Sequence, residues 1–122
     1  RINLMVCYDL RFPVWARNTG AEYDAVIYVA NWPEVRSLAW KTLLQARAIE
    51  NMSYVLGVNR VGQDGKGNNY SGDSSLFGPL GEQLWQHTGS TACQTLILER
   101  QTLEKVRTQL PFLNDADKFV LL

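Results

Sequence analysis

An α/β fold is what this sequence predicts, and three observations predict it. Apolar runs at 2–7, 24–30 and 53–62 have strand length, and "DAVIYVA" is continuous enough for a strand covered on both faces. Helix-like segments separate these runs, so the order is strand, helix, strand, helix, strand. From Gln63 onward the pattern changes to short strands between turns rich in Gly, Asn and Pro.

Taken in order, "RINLMVC" sets Ile2, Leu4 and Val6 against Asn3, Met5 and Cys7, the two-residue period of a strand. Pro13 suits the first turn of a short helix, "PVWARNT", because its missing N–H would be unpaired there anyway, and Gly20 suits the stop. "NWP" at 31–33 breaks the second strand. The longest helix is expected over 35–51, with Val35, Leu38, Leu44 and Ala48 near helical spacing and Lys41 and Arg47 on polar faces. "SYVLGVNRVG" is the third strand. "QDGKGNNYSG" reads as a loop or wide hairpin turn, and "DSSLFGPLGEQLWQH" as two short strands around a Gly-Pro-Leu-Gly turn. "ACQTLILE" is expected to be another strand, and 101–110 a final helix stopped by Pro111. No repeat or linker divides residues 1–122.

Right-handed crossovers that advance in one direction place the first two helices on the same face of the sheet. Yet Ile2, Leu4, Val6 and the run at 24–30 are apolar enough to be covered on both sides. The second face is therefore expected to need a partner, either another part of the protein or another chain. Arg1 is not an initiator methionine and a strand begins at once, so the sequence is read as a fragment of something longer.

Composition narrows the function classes. Twelve Lys+Arg balance twelve Asp+Glu, so no field draws in nucleic acid or an anionic membrane. No apolar run reaches the roughly 18 residues of a membrane span. The two cysteines, Cys7 and Cys93, form neither a CxxC pair nor a metal-ligand cluster. Unclustered thiols point to a reducing cytoplasm, and spacing leaves one disulfide between them as the alternative.

Cys7 is the residue on which the chemistry turns. Reactive groups gather at the carboxyl ends of strands in open α/β sheets. A cysteine there, followed at once by a helix entry, has the geometry of a nucleophile elbow. The main-chain N–H of Tyr8 would then face a developing oxyanion. The competing reading is a buried, inert thiol, common for free cysteine. His87, the single histidine, is weighed as a base for Cys7 and is more simply a surface residue on a polar turn. Asn31 and Trp32 end the second strand on the same edge as Cys7 and are the candidates for lining a pocket. Asp9 and Arg11 could orient the elbow, or Arg11 could meet a carboxylate, but they are read first as a structural ion pair or helix cap; Arg36 and Lys41 could supply a cation for a carboxylate and are read first as solvent-facing. Arg47 and Glu50 have the spacing of a helical pair. Asn59 and Arg60 are supporting candidates behind the site, Asp73 and Ser74 fix a loop, and Trp15, Trp40, Trp85 and Cys93 are read as packing residues.

"CYDLRFP" at 7–13, "NWP" at 31–33, "QARAIENMSYVLGVNRVG" at 45–62 and "GDSSLFGPLGE" at 72–82 together resemble the carboxy-terminal half of the nitrilase superfamily, the carbon-nitrogen hydrolases, nearest their omega-amidase branch. The resemblance implies the carboxy-terminal half of a four-layer αββα sandwich, whose amino-terminal half would cover the second sheet face. It implies a Glu–Lys–Cys triad in which Cys7 is the nucleophile. The Glu and Lys motifs of the family lie upstream and are not in these 122 residues. The implied activity is hydrolysis of the side-chain amide of small dicarboxylate monoamides through a cysteine thioester, with no metal or organic cofactor. The implied partners are a small amide substrate, the amino-terminal half of the same protein and a second copy in a homodimer, with the tail "FVLL" compatible with tail packing. A nitrile or N-carbamoyl specificity is the alternative within the superfamily, and a non-catalytic α/β interaction module the alternative outside it.

Overall fold

The computed structural model describes residues 1–120. Strands β1 (Ile2–Val6), β2 (Ala25–Ala30) and β3 (Tyr54–Asn59) are parallel neighbours; β6 (Ser74–Phe77) and β7 (Gln83–His87) extend the sheet antiparallel, in the order β1-β2-β3-β6-β7. β4 (Val61–Gln63) and β5 (Asn69–Ser71) form a separate hairpin, so of the two readings of 63–72 the hairpin turn holds, and the segment expected as one strand over 53–62 is split between β3 and β4. The Gly-Pro-Leu-Gly turn closes with Gly81 N–H donating to the Gly78 carbonyl at 2.9 Å. Both helices expected late in their segments form, α1 over Ser37–Asn51 and α2 over Arg100–Gln109. No helix among the described residues is long and apolar enough to cross a membrane.

The face beneath α1 is closed. Val26, Tyr28, Val55 and Phe77 from the strands meet Trp40, Leu44 and Ala48 of α1, with Leu10 and Ala16 from the first crossover in the same core. Both crossovers thus pack on one face, as right-handed connections require. Gly57 lets α1 approach: a Cβ there would collide with Leu44 and with Trp40, at 2.7 Å from its Cζ2. Arg107 of α2 ties the start of the sheet, donating to the carbonyls of Met52 and Tyr23 and pairing with Asp24 at 3.1 Å.

The other face is covered only at one side, where Leu103 and Leu96 meet Ala25, Tyr54 and Leu76. Ile2, Leu4 and Val6 remain 63%, 73% and 61% exposed, and Val29 and Val58 beside them are also exposed. This is the uncovered apolar face that the sequence led us to expect.

Four expectations need correction. "PVWARNT" is not an α-helix but a 3₁₀ turn over Pro13–Ala16, ended where the backbone becomes extended at Arg17, with ψ 121°; Gly20, at φ 68°, lies in a separate short turn. Pro13 does occupy its first turn. "ACQTLILE" pairs with no strand; it runs irregularly and puts Leu96 onto the sheet face, which a strand at the sheet edge could not do. Cys93, within that segment, is exposed and unpaired rather than core, and Cys7 is also free. Trp15 is exposed because the truncated turn buries only Ala16. Of the tail, Phe119 and Val120 are exposed, while Leu121 and Leu122 lie outside the described residues.

Candidate active site

Cys7 stands where β1 ends and a 3₁₀ turn (Cys7–Arg11) begins. Its φ is 42°, in the left-handed region that costs a side-chain-bearing residue of order 1–3 kcal/mol and recurs at functional turns. Local bonds hold this conformation. The Asp9 carboxylate accepts from the Val6 N–H at 2.9 Å, closing the elbow across its own bend. Arg47, buried on α1, donates to the Leu10 carbonyl at 2.6 Å and pairs with Glu50 at 2.9 Å. The elbow is thereby fixed both from within and from the helix beneath it.

Cys7 is half-buried and lines a cavity of about 290 Å³ with Tyr8, Arg11, Asn31, Trp32 and Arg36. All come from the carboxyl ends of β1 and β2 or the turns that follow, the rim at which α/β sheets bind ligands. Asn31 and Trp32 are therefore beside Cys7 as expected. Trp32 is 3% exposed, packs on Trp40 at 5.5 Å between ring centroids, and donates its indole N–H to the Arg36 carbonyl at 2.8 Å. The Arg11 guanidinium lies 4.9 Å from the centre of the Trp32 ring, the geometry of a cation–π contact. Tyr8 presents its ring to Phe12 edge-on at 5.1 Å and is otherwise exposed.

Arg11 and Arg36 are the residues that sequence reading undervalued. Asp9 does act as a cap, but Arg11 makes no ion pair with it; among the described residues neither Arg11 nor Arg36 has a carboxylate partner. Arg36 is exposed to solvent and yet lines the cavity. One signal was available: Arg11 follows the thiol by only four residues within one short turn, which keeps the two near the same strand end. The Lys41 side chain is 41% exposed, and its ammonium lies 4.0 Å from Asp73. His87 lines a different cavity and contacts Ser90 at 3.0 Å, so no Cys–His dyad forms.

Behind the pocket, Asn59 bonds the main chain of Trp32 on both sides, and Asp73 anchors the start of α1. Asp73 is buried at φ 53° and accepts from the hydroxyls of Ser37, Ser71 and Thr88 at 2.6, 2.7 and 2.9 Å. Burial opposes its charge, but these hydroxyls together with Lys41 outweigh burial and hold the carboxyl below its ordinary range. Asp73 and Ser74 fix the connection before β6, as expected.

Cys7 thus sits in a left-handed turn and lines a cavity that holds two guanidinium groups and, among the described residues, no carboxylate, lysine or histidine. The carbon-nitrogen hydrolase family model matches residues 1–108. The chain belongs to this family. It is 50% identical, over its whole length, to the omega-amidase YafV of Yersinia enterocolitica, of which it covers 48%. It is 33% identical to the 2-oxoglutaramate amidase of Bacillus subtilis, with 93% of this chain and 44% of that protein covered. A solved CN-hydrolase superfamily protein from Xanthomonas campestris, described with an arsenic adduct in its active site, superposes with a TM-score of 0.97 at 43% identity, over 100% of this chain and 49% of that one. The mixed α/β architecture is thus that of the nitrilase superfamily, and the chain spans about half the length of the curated relatives it matches. This carbon-nitrogen hydrolase chain carries the cysteine elbow and the cationic pocket on one rim of its sheet.

Proposed function

We propose that the protein is a thiol amidohydrolase of omega-amidase type, taking small dicarboxylate monoamides such as 2-oxoglutaramate and releasing ammonia. The observation that carries the proposal is the left-handed elbow at Cys7, opening onto a cavity that also holds Arg11 and Arg36. A thiol nucleophile accounts for the elbow, and an anionic substrate accounts for two unpaired guanidinium groups, which suit a carboxylate.

In this reading the Cys7 thiolate attacks the amide carbonyl carbon while the Tyr8 N–H donates to the oxyanion. Collapse of the tetrahedral adduct breaks the C–N bond; the leaving nitrogen takes a proton and departs as ammonia, leaving a thioester on Cys7. Water then adds to the thioester carbonyl, loses a proton to a base, and the C–S bond breaks to release the carboxylate and the thiol. The proton donor and base are a glutamate, and the second oxyanion partner a lysine, both supplied by the amino-terminal half. That half covers Leu4, Val6, Val29 and Val58 and completes the four-layer sandwich. Residues 1–122 are then the carboxy-terminal half of one catalytic domain that needs no metal or organic cofactor. The enzyme works in the cytoplasm as a homodimer.

The test is ammonia release from 2-oxoglutaramate by the full-length protein and its Cys7→Ala variant. Removing the nucleophile should lower kcat by a factor on the order of 10⁴ or more. Turnover that survives this change, or iodoacetamide labelling of Cys7 that leaves activity intact, would end the proposal. Turnover of a nitrile or an N-carbamoyl compound in place of the amide would keep the nucleophile and replace the substrate.

A further inference from the structure

β2 and β3 run in parallel register to the pair Ala30–Asn59, and the last main-chain bond beyond it joins the Arg60 N–H to the Ala30 carbonyl at 3.1 Å. There the two chains separate: one turns into Trp32 and the pocket, the other into the β4 hairpin. The Asn59 side chain bridges the gap. Its Oδ1 accepts from the Trp32 N–H at 2.7 Å, and its Nδ2 donates to the Trp32 carbonyl at 2.9 Å and to the Gly72 carbonyl at 2.8 Å. Both amide hydrogens are thus engaged, and one side chain prolongs the ladder by a residue. Its own main chain is held in turn, the Asn59 N–H donating to Ser74 Oγ at 3.0 Å.

What hangs from Trp32 is the cationic side of the pocket. The indole ring carries the Arg11 guanidinium, and the indole N–H holds the Arg36 carbonyl. These groups come from two different segments, and the Trp32 side chain contacts both. We propose that Asn59 is a positioning residue that sets the anion-binding geometry of Arg11 and Arg36 through Trp32. It touches no reacting atom. The inference deepens the amidohydrolase reading and rests on it for the identity of the anion.

The experiment compares alkylation of Cys7 in the full-length protein by iodoacetate, an anion, and iodoacetamide, its neutral analogue, with kcat and KM measured on 2-oxoglutaramate. In the unaltered protein the iodoacetate-to-iodoacetamide rate ratio should exceed that of free cysteine. Asn59→Ala should lower this ratio about tenfold and raise KM about as much, with kcat and the iodoacetamide rate kept within about twofold. A ratio that stays unchanged, a wild-type ratio equal to that of free cysteine, or an equal fall in both rates would overturn the proposal. Should Asn59→Ala fail to fold, Asn59→Gln keeps a neutral amide but displaces it by one methylene from the Trp32 main chain. It should lower the ratio about threefold, and no change would overturn the proposal. Alkylation does not depend on turnover, so failure of 2-oxoglutaramate as a substrate is read separately from failure of Asn59.

Discussion

The two faces of the sheet are built from the same strands and similar aliphatic residues, yet they end in opposite states. Under α1, Val26, Tyr28 and Val55 are fully buried against Trp40 and Leu44; on the reverse, Leu4, Val6, Val29 and Val58 are open. The difference lies in what each face has to hand. The two crossovers each return over the same side, because right-handed connections leave them no other. The reverse face has only α2 and the irregular stretch before it, which reach one part of it. Alternation along β1 is therefore not matched by burial among the described residues, where Ile2, Leu4 and Val6 stay exposed.

Breaking the closed face should cost most. Trp40→Ala removes a buried indole and its bond to the Asp73 carbonyl at 2.9 Å, and should destabilise the full-length protein by about 3–5 kcal/mol in urea unfolding. Leu4→Asp probes the open face. If the amino-terminal half covers it, the loss should be about 3 kcal/mol by the same measurement. A change within about 0.5 kcal/mol would mean that the face stays exposed in the whole protein. Asp73→Asn, at the polar end of the closed face, should cost about 1–3 kcal/mol through lost charge-assisted bonds.

Asp73 also sharpens the comparison through pH. Its carboxyl titrates lower in the folded state than in the unfolded chain, so its contribution is complete above the unfolded carboxylate range near ~4. That contribution is lost as pH falls through the folded value. Urea midpoints of the wild type and Asp73→Asn should converge in acid and stand apart at neutral pH; parallel profiles would contradict this.

Much of the fold was legible because its signals are local. Alternation identified β1, a continuous apolar run β2, helical spacing α1, and the Pro13 and Gly-Pro-Leu-Gly positions their turns. The segment at 92–99 misled because a short apolar stretch announces only that some of its side chains will be buried. Whether they dock on a sheet face or pair along its edge depends on which surface is vacant. Cys93 followed that segment into solvent, and Trp15 was lost when the turn after Pro13 proved too short to bury it. In the site, Cys7, Asn31 and Trp32 were legible as strand ends on one rim. Arg11 and Arg36 were not, since exposed arginines look alike until a pocket gathers them.

Sequence by itself determined the strand-to-turn junction at Cys7, the run from β1 through α1 to β3 and the face on which both crossovers lie. These follow from backbone stereochemistry and from periods of two and 3.6 residues, properties of neighbours along the chain. Tertiary structure alone decided that Arg11 and Arg36 converge on one indole and that Asn59, 27 residues from Trp32, holds it. Such contacts exist only once parallel strands have paired in a particular register, and register is settled by packing across the whole sheet.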